Sequence, residues 1–357
     1  LEGVARETWR LFERCVGAPD HHLPPDNLQT WPYDMVAHRT SPTNIGLYLL
    51  SVACARQFGW IGTQDLLGRL EATLATLLSL QRHRGHFLNW YDTQTLAPLL
   101  PSYVSTVDSG NLSGHLLAVG QACLELAQAP HDASAAQRAL RASRHRLAPL
   151  LECWPDLAGQ QALAQLLAMP DPLPPGQGAE FGLLLQAASD ELAAWQPEAT
   201  ELLPMDATLK PGSHDQLSWL LSDHLATLRS AWLDAQAQAS GETSGATQRL
   251  QSLAHEFGLL AWQADFTFLY HPKRHLLHIG YRVAEQQLDA GLYDLLASES
   301  RLTSLLAIAK GDLPVRHWSA LGRPFFASGA QAGLRSWSGS MFEYLMPLLV
   351  MPTYQQT

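Results

Sequence analysis

The chain has 357 residues, 46% of them hydrophobic and only 16% charged, with a formal net charge of −10. That length can bury a large core, and so little charge points to broad buried faces or to surface that other domains cover. The acidic balance repels phosphate backbones and no cluster of Lys and Arg offsets it, which argues against nucleic acid as a partner. Cys15, Cys54, Cys123 and Cys153 lie far apart without CxxC spacing and read as small buried thiols of a reducing compartment. No apolar run approaches the roughly 20 residues that span a bilayer, and the longest, Ile45 to Ala55, is broken by Arg56. The first residue is Leu1 rather than Met, so an upstream portion is expected to be missing.

Helical periodicity dominates the text. Ser41 followed by Pro42 opens a helix through Leu47, Leu50 and Ala53. Thr63 is placed to cap a second, in which Leu66, Leu67, Leu70, Leu74, Leu77 and Leu78 recur at three and four. Asn111 starts a third, through Leu112, Leu116, Val119, Cys123 and Leu126. Further helices are expected from Ala133 to Leu151, Gly178 to Trp195, Asp215 to Ala235 and Gln248 to Gln263. The last two are expected from Ala290 to Ala309 and from Gly339 to Val350. Loops fall at Pro170 to Gly178, Pro204 to Gly212 and Ser240 to Gly245, and none is long enough to be an interdomain linker. Phe266 to Tyr270 and Leu276 to Arg282 read as the strands of one β-hairpin. Middling helices joined by irregular, aromatic-bearing loops suggest a single all-α domain over 1–357, an α/α toroid around a cleft. A solenoid is the alternative, but no fixed-period repeat is present.

Within the Ala290 helix, Glu299 falls four after Leu295, three after Leu296 and three before Leu302, inside the apolar stripe. A carboxyl there is desolvated and its pKa rises, as a general acid near neutral pH requires. The plain alternative is a Glu paired with Arg301 or Arg282. Glu343 stands in a similar place just beyond Trp337, and indole stacks on the apolar face of a sugar while carboxylates accept its hydroxyl hydrogens. Its alternative is a first-turn Glu favoured by the helix dipole. Polar and aromatic residues also crowd three loops: Asn89, Trp90, Tyr91 and Asp92; Asp108, Ser109, Gly110 and Asn111; and Arg39, Thr43 and Asn44. This chemistry fits carbohydrate, although Asp-Ser-Gly-Asn is also an ordinary turn and cap. His271, His275 and His278 lack the spacing of a metal site, so no metal is expected. No GxSxG, P-loop or GxGxxG motif is present.

The segments LPPDNLQ (Leu23 to Gln29), AHRTSPTNIGLYLLS (Ala37 to Ser51), RLEATLATL (Arg69 to Leu77), RGHFLNWYDTQTLAPLLPSYVSTVDSGNLSGHLL (Arg84 to Leu117), YDLLASESRLTSLLAIAKGDLP (Tyr293 to Pro314) and SWSGSMFEYLMPLLVM (Ser336 to Met351) resemble the middle domain of bacterial cyclic β-1,2-glucan synthases. The likeness is densest at both ends and loose from about Ala127 to Thr247. It implies an (α/α)6 barrel of the glycoamylase-like type, C-terminally incomplete in this chain, and therefore a fragment that is inactive and aggregation-prone alone. It also implies a place between a membrane-embedded glycosyltransferase region that uses UDP-glucose and a phosphorylase-like region. The parent would sit at the cytoplasmic side of the bacterial inner membrane, with this segment soluble and without a cofactor of its own. The implied activity is cyclisation of linear β-1,2-glucan by anomer-retaining transglycosylation, with Glu299 as acid/base and its carboxyl partner beyond Thr357. Glu343, Asp108, Asn111, Arg39, Asn44, Trp90, Tyr91 and Trp337 would line the cleft. Endo-hydrolysis of β-1,2-glucan and a non-catalytic glucan-holding module are the alternatives.

Overall fold

A computed structural model describes residues 2–130, 132–151, 161–169, 179–195, 214–241, 243–329 and 331–351. The chain is mostly helical, with only short sheets, as the periodicity predicts. In chain order the helices are α1 (Glu2–Cys15), α2 (Pro42–Phe58), α3 (Thr63–Ser79), α4 (Thr106–Leu126), α5 (Ser134–Leu151), α6 (Gln161–Ala168), α7 (Ala179–Trp195), α8 (His214–Ala239), α9 (Thr243–Ala261), α10 (Ser300–Lys310), α11 (Arg316–Ala320) and α12 (Met341–Leu345). A 3-10 turn, Met346–Leu349, continues α12.

Helix α2 forms as its local signals dictate. The Ser41 hydroxyl accepts from the Asn44 amide, Pro42 occupies the first position and Gly59, at φ 82°, closes the helix in the left-handed region. Helix α3 corrects the expected cap. Its N-cap is Gly62, which has no side chain to offer, and the amides of Thr63 and Gln64 donate to the Asp234 carboxylate of α8 at 2.7 and 2.8 Å. Helix α4 begins five residues before Asn111, with the Ser105 hydroxyl accepting from the Asp108 amide, so Asp-Ser-Gly-Asn lies inside the helix.

The largest correction concerns the segment before α10. Residues 290–299 are not helical. Leu292–Tyr293 instead pairs antiparallel with Leu277–His278, and the helix starts only at Ser300. The expected hairpin is present in shorter form. Tyr270–His271 pairs with Leu276–Leu277, Thr267–Leu269 is a 3-10 turn, and Gly280–Arg282 crosses to pair with Tyr103–Ser105.

Helix α4 sits at the centre, packed by α2, α9 and α10, while α3 joins α2 to α9 and α8. The core around it includes its own Leu112, Leu116 and Val119 with Leu49, Val52, Leu70, Leu253 and Phe257, each almost wholly removed from water. A separate apolar cluster holds α5 to α8 together through residues such as Leu140, Leu166, Leu185, Leu217 and Leu228. Of the described cysteines, Cys123 is buried, Cys15 half-buried and Cys54 exposed, so the expectation of buried thiols holds only for the first. Cys153 lies outside the described residues. Among the described residues, no helix is long and apolar enough to cross a membrane and no trio of His, Cys, Asp or Glu could hold a metal ion.

Candidate active site

Glu299 is the N-cap residue of α10, but its side chain makes no capping bond. Its carboxylate faces α4 instead, where Oε2 accepts from Asn111 Nδ2 at 3.2 Å. Burial pushes its pKa above the usual value. The Asn111 hydrogen bond works against that rise, and the charges of Asp108 and Glu343 reinforce it. Among the described residues no cation pairs with it. Arg282 is held by Asp289 at 3.3 Å, and Arg301 donates to the Tyr344 carbonyl at 3.2 Å. The expected desolvation is therefore present, but its source is the junction of α10 with α4 rather than an apolar stripe.

A hydrogen-bonded chain runs from Glu299 across the top of α4. Asn111 Nδ2 also donates to Thr43 Oγ1 at 3.1 Å, and Thr43 Oγ1 donates to Asp108 Oδ1 at 2.6 Å. The Asn89 amide, oriented to satisfy both its atoms, donates to Asp108 Oδ2 at 3.0 Å and accepts from Trp90 Nε1 at 3.1 Å. Arg39 lies over the Trp90 ring, 5.1 Å from its centroid, and is held there by Asp26 through Nε and Nη2 at 3.0 and 2.8 Å. Asn44 Nδ2 approaches the other Asp26 oxygen at 3.5 Å. Glu299, Asn111, Asp108, Trp90, Arg39 and Asn44 thus form one connected rim.

Tyr91 does not join them. It is fully buried, donating its hydroxyl to the Gln81 carbonyl at 2.6 Å and accepting from the Leu88 amide at 2.7 Å. The pairing of Arg39–Thr40 with Tyr91–Asp92 sends alternate side chains to opposite faces, so Trp90 reaching the rim consigns Tyr91 to the core. Its placement in the cleft is corrected accordingly.

Trp337 stacks on Tyr293 at 5.4 Å between centroids and donates Nε1 to Asp294 Oδ1 at 3.0 Å. Burial, with the charges of Glu299, Asp108 and Asp289, drives the Tyr293 phenol pKa upward, so that ring shares the site's negative field. Tyr293 and Asp294 escaped the sequence reading. Their only signal was membership of the YDLLASES segment, because the expected helix hid the strand that orients them. Glu343 forms a capping box with Ser340 at the start of α12. Its Oε2 accepts from Ser336 Oγ at 2.9 Å, Ser338 Oγ at 2.6 Å and the Ser338 amide at 3.1 Å. Desolvation is the largest single influence and raises its pKa, but these donors together outweigh it and hold the carboxyl at about 2. A carboxylate so engaged is a loop anchor and a poor acid.

No protein-family model matches the chain. Two crystal structures resemble its overall course. One is a protein described as a glucoamylase from Bacteroides fragilis, with 10% identity, a TM-score of 0.48 and coverage of 95% of this chain and 55% of that one. The other is a protein described as a glucoamylase from Bacteroides caccae, with 11% identity, a TM-score of 0.49 and coverage of 96% and 58%. In sequence, the chain is 44% identical over 365 residues to the cyclic β-(1,2)-glucan synthase NdvB of Rhizobium meliloti, covering 99% of this chain and 13% of that protein. The chain is therefore a homologue of one segment, about an eighth of the length, of a cyclic β-(1,2)-glucan synthase.

Proposed function

We propose that this chain is the glucan-cyclising segment of a cyclic β-1,2-glucan synthase, acting by anomer-retaining transglycosylation with Glu299 as acid/base. The observation that carries the reading is the Glu299 carboxyl, half-buried, without a cation partner among the described residues, hydrogen-bonded by Asn111 and facing the charge of Asp108. Burial and the charge of Asp108 favour the protonated form and outweigh the Asn111 hydrogen bond, which favours the charged one; the protonated form is what delivers a proton to a departing glycosidic oxygen. The same group, once ionised, takes a proton from the incoming hydroxyl of the chain's other end, and so closes the ring.

A retaining route needs a second carboxyl about 5 Å from the first. Glu343 is saturated by loop donors, and Asp108 is engaged by Thr43 and Asn89. Neither is free to attack an anomeric carbon, so the nucleophile is assigned to another part of the parent polypeptide. Its glycosyltransferase and phosphorylase-like regions are the proposed neighbours, and UDP-glucose is used there rather than in this segment. The test is Glu299→Gln in the full-length synthase, with cyclic and linear β-1,2-glucans separated by size. Loss of rings with continued accumulation of linear chains is expected. Ring formation at the unmodified rate overturns the assignment, and short linear products from the unmodified enzyme would favour hydrolysis.

A further inference from the structure

Beside the Glu299 network lies a cavity of about 760 Å³ that none of that network's residues lines. Its walls include Phe326, Trp337 and Tyr344, with Arg301, Arg335 and Ser338 among them. Aromatic faces interleaved with hydrogen-bond donors suit a pyranose, which presents apolar C–H patches and equatorial hydroxyls together. One buried donor there, Arg301 Nε, has no partner. Trp337 belongs to both regions. Tyr293 covers part of its ring on the Glu299 side and does not line the cavity, so the ring meets the cavity with the surface Tyr293 leaves free.

The loop that carries Trp337 is built around Glu343. That carboxylate gathers Ser336, Ser338 and Ser340, while the Gly339 amide donates to Ser336 Oγ at 2.9 Å from a backbone at φ 75°. The Tyr344 hydroxyl ties the loop's start, accepting from the Ser336 amide at 3.0 Å and donating to the Leu334 carbonyl at 2.7 Å. Ring and loop are fixed from three directions, by Tyr293, by Asp294 and by Glu343.

We propose that this cavity is a glucan subsite next to the acid/base, with Trp337 as its stacking platform and Glu343 as the positioning residue that holds the platform in place. The proposal rests on the glucan-cyclising reading and names where the chain flanking the scissile bond is held.

Binding is the test, carried out on the full-length synthase in a Glu299→Gln background so that the probe is not consumed. The probes are short linear β-1,2-, β-1,3- and β-1,4-gluco-oligosaccharides, followed by calorimetry and by tryptophan fluorescence. Trp337→Ala and Phe326→Ala are each expected to weaken β-1,2 binding about tenfold, a factor typical of one lost stacking contact. Trp337→Phe should keep most of the affinity yet reduce the ligand-induced fluorescence change. Glu343→Gln should weaken binding severalfold and shift the resting fluorescence, because an amide nitrogen cannot accept from the serine hydroxyls. Unchanged affinity in both Trp337→Ala and Phe326→Ala, or no binding of any probe, overturns the proposal. Trp337-dependent binding of only the β-1,3 or β-1,4 probe upholds the subsite and sinks the β-1,2-glucan reading instead.

Discussion

Helix α10 carries Glu299 to Asn111 because α4 presents almost no side chain where the two cross. A methyl added at Gly110 would lie on Thr303 Oγ1 and only 2.6 Å from the Thr303 Cα. A flexible side chain could swing aside, but backbone cannot, so Gly110→Ala must push α10 away from α4. Overpacking of this kind costs about 1–3 kcal/mol, against which Ala returns up to about 1 kcal/mol of helix propensity. With backbone as the obstacle the net loss should be about 2 kcal/mol or more. Gly68, on the exposed face of α3, has nothing within 4 Å of an added Cβ, so Gly68→Ala should stabilise by about 0.5–1 kcal/mol. Urea unfolding of the two variants reads the difference, expected near 3 kcal/mol and of opposite sign. Thr303→Ala should not rescue Gly110→Ala, because it removes the hydroxyl and leaves the Cα. In the full-length synthase, Gly110→Ala should also depress cyclisation by stretching the 3.2 Å bond between Asn111 and Glu299. If Gly110→Ala gains stability as Gly68→Ala does, the account of how α10 is seated is wrong.

Two further outcomes follow from the electrostatics. Asp108→Asn removes a charge that raises the Glu299 pKa, so the protonated acid is lost at lower pH and the basic limb of the cyclisation profile moves down. A basic limb that stays in place would remove Asp108 from the acid's environment. The Glu343 carboxyl is depressed from the ordinary 4.5 to about 2. Its contribution to the Trp337 loop is therefore complete above about pH 4.5 and lost as pH falls toward 2. Proteolysis of the loop between pH 5 and pH 2.5 should accelerate in the native chain and stay flat in Glu343→Gln, and parallel curves would refute the anchoring role.

How far the sequence discloses this depends on where each determinant lies. Helix α2 was legible at both ends because Ser41, Pro42 and Gly59 act within one turn of themselves. Helix α4 was misread at its start because Gly110 serves Thr303, nearly two hundred residues away, and no local rule announces that partner. The Asp234 cap of α3 is hidden for the same reason. Residues 290–299 carry leucines at helical spacing, yet two of their positions are claimed by strand pairing with Leu277 and His278. Periodicity measures what a segment could bury on one face, and the backbone bonds offered by a neighbour decide the conformation.

Glu299 shows what survives such an error. Its desolvation was inferred from an apolar stripe that does not exist, since the helix begins one residue later. The carboxyl is nonetheless enclosed, because a helix start that packs directly on another helix places its N-cap side chain between the two. There the side chain is shielded by both helices and can reach Asn111 only by giving up the usual capping bond to its own amides. That sacrifice is the informative detail. An N-cap Glu whose oxygens bonded its own helix amides would be held ionised, whereas here the Asn111 hydrogen bond also lowers the pKa but is outweighed by burial beside the charges of Asp108 and Glu343. The same fold element that fixes the position of Glu299 therefore also sets its acidity, through the burial it imposes.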